Sequence, residues 1–124
     1  MFEALTVLLV DDDASIQTTL YRALEDEGCS VLAAGNGAEA LDICRQSRRP
    51  IDLMLTDIEM PGMSGFDLAS RALTLQPLMK ILFMSGHAGH AAAHAAAVLD
   101  LRTFLAKPFG RASLVRGLRL AMGC

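Results

Sequence analysis

Residues 7–15 read VLLVDDDAS, four apolar residues that run directly into three aspartates. A short run that is apolar on both faces fits a buried strand of a parallel sheet. Three adjacent carboxylates repel one another unless a cation neutralises them. The stretch therefore predicts a buried first strand that delivers an acidic site at its carboxyl end.

The composition is that of one ordinary domain, expected to span residues 1–124. A chain of 124 residues, 52% of them hydrophobic, can fill a real core. The net charge of −3 argues against direct nucleic-acid binding and against membrane-surface binding, because both need a basic face. Three cysteines without CxxC spacing indicate neither a disulfide framework nor a cysteine zinc site. With no bilayer-spanning apolar run and no signal peptide, a cytoplasmic location is expected.

Short apolar runs alternate with segments of helical period along the whole chain. The runs have the length of strands, and the segments between them space apolar residues as helices do. Five such units predict an α/β fold, a doubly wound five-stranded parallel sheet with five helices and right-handed crossovers. The predicted strands are 6–10, 30–34, 51–56, 81–84 and 103–106.

Capping residues mark several of the predicted helices. Asp13 precedes the first helix and Gly28 ends it, while Asn36 opens the second. The Ala-rich segment 90–99 predicts a fourth helix by propensity. The other helices carry apolar stripes, which are Ile16, Leu20, Ala23 and Leu24; Ala38, Leu41 and Cys44; Phe66, Ala69, Ala72 and Leu73; and Leu114, Val115, Leu118 and Met122.

Polar side chains follow four of the five predicted strands. They are Asp11 to Asp13, Asp57, Ser85 and Lys107. Ligands of open α/β sheets bind beyond the carboxyl ends of the strands, so we expect these groups to share one site. Clustered carboxylates suit Mg²⁺, and a phosphoryl group there would meet a metal on one side and an ammonium on the other. Because a carboxylate is also a nucleophile, the pattern predicts an aspartyl phosphate.

Four segments together resemble the receiver domain of two-component response regulators. They are VLLVDDD at 7–13, LTDIEMPGMSG at 55–65, FMSG at 83–86 and FLAKPF at 104–109, in the family's order and spacing. The resemblance implies the flavodoxin-like strand order 2-1-3-4-5. It also implies a phosphorylation-switched signalling domain rather than an enzyme, with a histidine kinase or a histidine phosphotransfer protein as phosphoryl donor.

The resemblance also gives roles to the acidic residues. Asp57 would be the phosphoacceptor. Asp12 would bind Mg²⁺ directly together with Asp57, and Asp11 would act mainly through water. Glu59 would offer its backbone carbonyl to the metal. Because its side chain is placed to reach the attacking water, we also hypothesise that Glu59 tunes dephosphorylation. All of these groups lie within the first and second of the four matching segments.

The remaining roles fall on the third and fourth segments. Ser85, where threonine is commoner, and Lys107 would bind phosphoryl oxygens, and Pro108 would follow a cis peptide bond. Phe104, where tyrosine is frequent, would be the aromatic switch that turns inward when Ser85 moves. The output would be a change of the face formed by the fourth helix, the fifth strand and the fifth helix.

Several alternatives stay open at this point. A monomer and a homodimer both fit; in the dimer, Arg111 and Arg116 would pair with Asp100 across that output face. A phosphohydrolase of the haloacid-dehalogenase type would use Asp11 as its nucleophile, and an interaction module would never be phosphorylated. Both a free-standing regulator and part of a longer chain fit. His87, His90 and His94 lack an accompanying acid or cysteine, which disfavours zinc.

Overall fold

Five parallel strands form one sheet in the computed structural model, which describes residues 4–86 and 104–123. The strands are β1 (Thr6–Val10), β2 (Ser30–Ala34), β3 (Leu53–Asp57), β4 (Lys80–Ser85) and β5 (Phe104–Ala106). Their order, β2-β1-β3-β4-β5, confirms the predicted topology. The strand order reverses at β1, so the carboxyl ends of β1 and β3 meet beside the crevice where ligands of such sheets bind.

Four helices lie within the described residues. They are α1 (Ala14–Asp26), α2 (Gly37–Gln46), α3 (Gly65–Leu75) and α4 (Arg111–Met122), the last of which is the fifth predicted helix. The predicted helix over 90–99 falls outside those residues. None of the four described helices is long and apolar enough to cross a membrane.

The predicted helix caps are confirmed. The Asp13 carboxylate accepts the backbone N–H groups of Ser15 at 2.9 Å and Ile16 at 3.2 Å. The side-chain oxygen of Asn36 accepts the backbone N–H of Glu39 at 2.9 Å. Gly28, just beyond α1, has a φ of 94°, a left-handed conformation that glycine adopts without steric cost. The local sequence therefore sets where the first two helices begin and where the first one ends.

Two hydrophobic layers cover the two faces of the sheet. In β1, Leu8 and Val10 point into the layer formed with α2 and α3, while Val7 and Leu9 point into the layer formed with α1 and α4. All four side chains are fully buried. Burying each of them stabilises the fold by roughly 1.5–3 kcal/mol. The uninterrupted apolar run at 7–10 is therefore explained by burial on both sides.

Two strand ends lie further along the chain than predicted. Asp57 and Ser85 are the last residues of β3 and β4 rather than the residues after them. Pairing continues past Asp57 and includes Ser85, because the N–H of Ile58 binds the carbonyl of Met84 at 2.9 Å and the N–H of Lys107 binds that of Ser85 at 2.7 Å. The two polar side chains are thus held by the sheet itself and not by loops.

Two of the predicted helical stripes were partly wrong. Leu73 is 37% exposed, whereas Leu68 is fully buried in α3. The buried positions of α3 are Gly65, Leu68, Ala69 and Ala72, spaced by three and four residues, and Leu73 lies beside this stripe. In α2, Ala38 is exposed and Ala40 is buried instead.

Gly65 lets the start of α3 approach the end of β3. A Cβ atom placed there would overlap the carbonyl oxygen of Asp57 and lie 2.8 Å from Cα of Ile58. The N–H of Gly65 also donates to the carbonyl of Ile58 at 2.8 Å. Backbone therefore meets backbone at this point, and no side chain is present to move aside.

Gly65→Ala is expected to lower the free energy of unfolding by about 1–3 kcal/mol, because α3 has to shift away from β3. Urea unfolding followed by circular dichroism measures the change. Gly35→Ala is the control, since a Cβ there has its nearest contact, the Glu39 carboxylate, at 3.6 Å. Equal losses in the two variants would contradict the close-approach explanation.

Candidate functional site

The carboxyl edge of the sheet brings the predicted site residues together. Asp11 follows β1, Asp57 and Ser85 end β3 and β4, and Lys107 follows β5. The strand pairing that continues to the ends of β3, β4 and β5 holds these positions side by side. Residues separated by up to 96 positions in the chain therefore meet at one end of the molecule.

Three carboxylates form a cluster at this edge. Asp11, Asp12 and Asp57 each offer an oxygen, and these oxygens all lie within 4.8 Å of one another. Asp11 and Asp57 are buried, whereas Asp12 is exposed. Because burial removes the water that would screen two of these charges, the cluster needs a cation.

Lys107 supplies a positive charge to the two buried carboxylates. Its Nζ lies 2.8 Å from Oδ2 of Asp11 and 3.3 Å from Oδ2 of Asp57. The second oxygen of Asp11 accepts the N–H of Asp13 at 2.9 Å. Both oxygens of Asp11 are therefore engaged inside the protein.

The pKa values of Asp57 and Lys107 reflect this arrangement. Burial raises the pKa of Asp57 above its usual 3.8, and the Asp11 charge adds to the increase, although the Lys107 ammonium and the N–H of Glu59 oppose it. For Lys107, burial alone would lower the pKa, but the hydrogen bonds and charges of Asp11 and Asp57 outweigh burial and raise it. Lys107 is thus held as an ammonium beside a carboxylate that is costly to ionise.

Ser85 and Glu59 form a second contact in the site. The Ser85 hydroxyl is fully buried and donates a hydrogen bond to the Glu59 carboxylate. The backbone N–H of Glu59 donates to Oδ1 of Asp57 at 3.2 Å. Glu59, itself exposed, thus touches both Asp57 and Ser85. The contact of its carboxylate with Ser85 gives this side chain a partner that the sequence did not suggest.

An open cleft of about 370 Å³ gives access to Asp57. Asp57 forms part of the cleft wall, whereas Asp11, at 1% exposure, is nearly closed off from solvent. The Lys107–Pro108 peptide bond beside the cleft is cis. The lining residues are Ile16, Asp57, Glu59, Gly86, Lys107 and Pro108.

Gln17 is a residue of the site region that sequence reasoning missed. Its side-chain amide in α1 donates to the carbonyl of Ala34 at 2.8 Å and lies 3.4 Å from that of Asp11. It therefore ties α1 to the ends of β1 and β2, next to the acidic turn. A polar residue on the partly buried side of an amphipathic helix was the available signal.

Phe104 and Arg111, two predicted residues outside the acidic cluster, both have contacts within the chain. Phe104 is partly buried and packs against the layer of α2 and α3 that contains Phe83. Arg111 binds Asp26 at 3.0 Å and Glu27 at 2.9 Å in its own chain, so it is already paired. The partner predicted for it across a dimer and the three histidines lie outside the described residues.

A comparison with protein families matches residues 7–119 to the response regulator receiver domain. The response regulator receiver protein CpdR of Brucella abortus (strain 2308) is 43% identical over 82 residues, covering 66% of this chain and 67% of CpdR. The transcriptional regulator NtrC of Escherichia coli (strain K12) is 38% identical over 83% of this chain. The match spans only 22% of NtrC, so similar segments also occur within much longer proteins.

Solved structures agree with the fold. The response regulator receiver domain protein of Clostridium thermocellum has a TM-score of 0.85 at 28% identity, covering 96% of this chain and 94% of that one. The chemotaxis protein CheY4 of Vibrio cholerae has a TM-score of 0.82 at 27% identity, covering 94% and 98%. These structures share the whole described architecture with this chain.

In a buffer free of Mg²⁺, Asp57→Asn is expected to raise the free energy of unfolding at neutral pH. Since the folded pKa of Asp57 lies above the unfolded one, ionising Asp57 costs stability above that folded pKa. The gain from asparagine should shrink as the pH falls through the raised pKa and vanish below the unfolded value near 3.8. Thermal unfolding between about pH 7 and about pH 4 measures this.

The control for this experiment is Asp67→Asn, which removes one charge from an exposed aspartate of α3. A gain of the same size and pH dependence in both variants would contradict an origin in the buried site. A difference between Asp57→Asn and the unmodified chain that stays constant across the pH range would also contradict it.

Proposed function

Because the chain belongs to the receiver domain family of two-component response regulators, we propose that Asp57 accepts a phosphoryl group from a phosphohistidine of a histidine kinase or a histidine phosphotransfer protein. The observation that carries this proposal is the position of Asp57. Its carboxylate lies in the wall of an open cleft, 3.3 Å from the Lys107 ammonium, and Ser85 ends the neighbouring strand β4. A nucleophile and a cation thus face the cleft, and a hydroxyl lies at the end of the adjacent strand.

The proposed cycle consists of two reactions, phosphorylation and dephosphorylation of Asp57, and each conserves atoms and charge. A carboxylate oxygen of Asp57 attacks phosphorus, a new P–O bond forms, the P–N bond breaks, and the imidazole nitrogen keeps the electron pair and takes a proton from solvent. In dephosphorylation, water attacks the same phosphorus and the bond to Asp57 breaks, releasing inorganic phosphate. The chain would thus take part in its own phosphorylation and dephosphorylation while acting as a signalling domain.

The donor set at this edge fits Mg²⁺. Carboxylate oxygens are the ligands this ion prefers, and the three available ones lie within 4.8 Å of one another. Since Asp11 is nearly closed off from solvent and binds Lys107 at the shorter distance, Asp12 and Asp57 would be the direct ligands. The backbone carbonyl of Glu59 would be a third. When bound, Mg²⁺ would neutralise charge on the phosphoryl oxygens.

The other residues of the site would hold the phosphoryl group and report on it. Lys107 would move its ammonium from Asp11 and Asp57 towards one phosphoryl oxygen, and the Ser85 hydroxyl would bind another. The departure of Ser85 would let Phe104, which is only partly buried, turn inward. We propose a cytoplasmic location and an output through the face that contains β5 and α4, as a monomer or a homodimer.

The two competing functions are less well supported. A phosphohydrolase that uses Asp11 would need that carboxylate to face the cleft, but Asp11 is 1% exposed and does not line the cleft wall that Asp57 helps to form. An interaction module without phosphorylation would not need Asp57 and Lys107 together in the wall of a cleft. Phosphate found on Asp11 with Asp57 unmodified would restore the first alternative.

Incubation with acetyl phosphate and Mg²⁺ is expected to phosphorylate Asp57, as mapped by peptide mass spectrometry. Asp57→Asn and Asp12→Ala should each reduce the phosphorylated fraction to background, because one removes the nucleophile and the other a direct metal ligand. Asp13→Ala is the matched control, since it removes a neighbouring carboxylate that caps α1. That variant should keep phosphorylation and lose about 1 kcal/mol of stability. Full phosphorylation of Asp57→Asn would refute the proposal.

A further inference from the structure

The contact between Ser85 and Glu59 involves the hydroxyl that the proposed function requires for another purpose. Ser85 is fully buried at the end of β4, and its hydroxyl donates to the Glu59 carboxylate. A serine hydroxyl carries a single proton and can donate one hydrogen bond at a time. It therefore cannot serve the Glu59 carboxylate and a phosphoryl oxygen on Asp57 together.

The two partners of this bond differ in their access to water. Glu59 is exposed and its carboxylate can be hydrated once it is released. Ser85 has no exposed surface, so its hydroxyl needs a protein or ligand partner at all times. Breaking the bond is therefore costly for Ser85 unless another acceptor replaces Glu59. For Glu59 the cost is small, because water can hydrate its carboxylate.

Glu59 also lies close enough to Asp57 to respond to its phosphorylation. Its backbone N–H binds Oδ1 of Asp57 at 3.2 Å, and its side chain lies in the wall of the same cleft. A phosphoryl group in this cleft would be a second anion near the Glu59 carboxylate, and like charges repel. Phosphorylation would thus both offer Ser85 a new acceptor and push the old one away.

We propose that Glu59 is an internal competitor of the phosphoryl group: its carboxylate holds the Ser85 hydroxyl in the unphosphorylated state and must release it before Ser85 can bind a phosphoryl oxygen. The inference rests on the proposed function, since it assumes that a phosphoryl group reaches Asp57. Glu59 sets how tightly that group is held by occupying the donor that the group needs. It acts on the reaction through Ser85 and is a positioning residue.

The test uses Mg²⁺ with beryllofluoride, a non-covalent mimic of a phosphoryl group, and measures its dissociation constant by fluorine NMR. Glu59→Ala should tighten binding by about 10-fold, because hydrogen bonds to charged acceptors are among the stronger ones. Glu59→Gln should tighten it by about threefold, since the neutral amide still accepts the Ser85 proton. Glu25→Gln, at an exposed site on α1, controls for the lost charge and should leave the constant unchanged.

Competition through Ser85 can be separated from simple charge repulsion. Repulsion alone predicts equal gains in Glu59→Ala and Glu59→Gln, because both remove the same charge. It also predicts that the gain persists when Ser85→Ala is the starting protein, whereas competition predicts that most of the gain disappears there. Equal gains in the two Glu59 variants, or a full gain in the Ser85→Ala background, would overturn the proposal.

A second measurement reads the contact without metal or phosphoryl mimic. The Ser85 hydroxyl proton should exchange slowly enough for detection by proton NMR in the unmodified chain and become undetectable in Glu59→Ala. A hydroxyl signal that is identical in both proteins would overturn the proposed contact. If no protein binds beryllofluoride, the proposed function and the competition both fail; if binding is unaffected by Glu59→Ala, only the competition fails.

Discussion

The placement of Lys107 beside two buried carboxylates is the interaction on which the functional end of the molecule depends. An ammonium at 2.8 Å from Asp11 and 3.3 Å from Asp57 offsets the repulsion that burial would otherwise make severe. It can do so only if β5 lies next to β4 and β1 next to β3, because the three residues come from distant parts of the chain. The charge balance of the site therefore depends directly on the order of the strands in the sheet.

This constraint also explains how the site can be stable and reactive at once. Asp11 is 1% exposed and binds Lys107 at the shorter distance, so it supports the site from the interior of the protein. Asp57 shares the same cation at a longer distance and borders the cleft. The unequal sharing of one ammonium, together with the cleft, distinguishes the enclosed Asp11 from Asp57, the residue that we propose as the nucleophile.

Much of the fold and of the site follows from short stretches of sequence. The run VLLV becomes a strand buried on both faces, and Asp13 and Asn36 begin helices, because these effects act within a few residues. The polar groups at the strand ends could be assigned to one edge because parallel strands all end there. The family resemblance supplied the strand order, which no local pattern contains.

What the sequence did not predict depends on distances across the fold. The amide of Gln17 reaches the carbonyl of Ala34, and the Glu59 carboxylate finds Ser85 26 residues away; neither pairing has a periodic signature. Leu68 and Leu73 are both leucines of α3, and the sequence does not tell which of them is buried. The rotation of α3 against the sheet decides that Leu68 is buried and Leu73 is exposed. The extent of β3 and β4 likewise depends on how far their neighbours continue to pair.

The two layers of the core close at different times as the chain is synthesised. The layer under α2 and α3 draws mainly on residues that precede the end of β4, so much of it can assemble early. The opposite layer joins Val7 and Leu9 to Leu114 and Leu118, which leave the ribosome more than 100 residues later. Until α4 arrives, the part of this face that α1 does not cover is an exposed apolar surface. A nascent chain that lacks α4 cannot complete this layer, so the apolar residues that α4 covers stay accessible until this helix is synthesised.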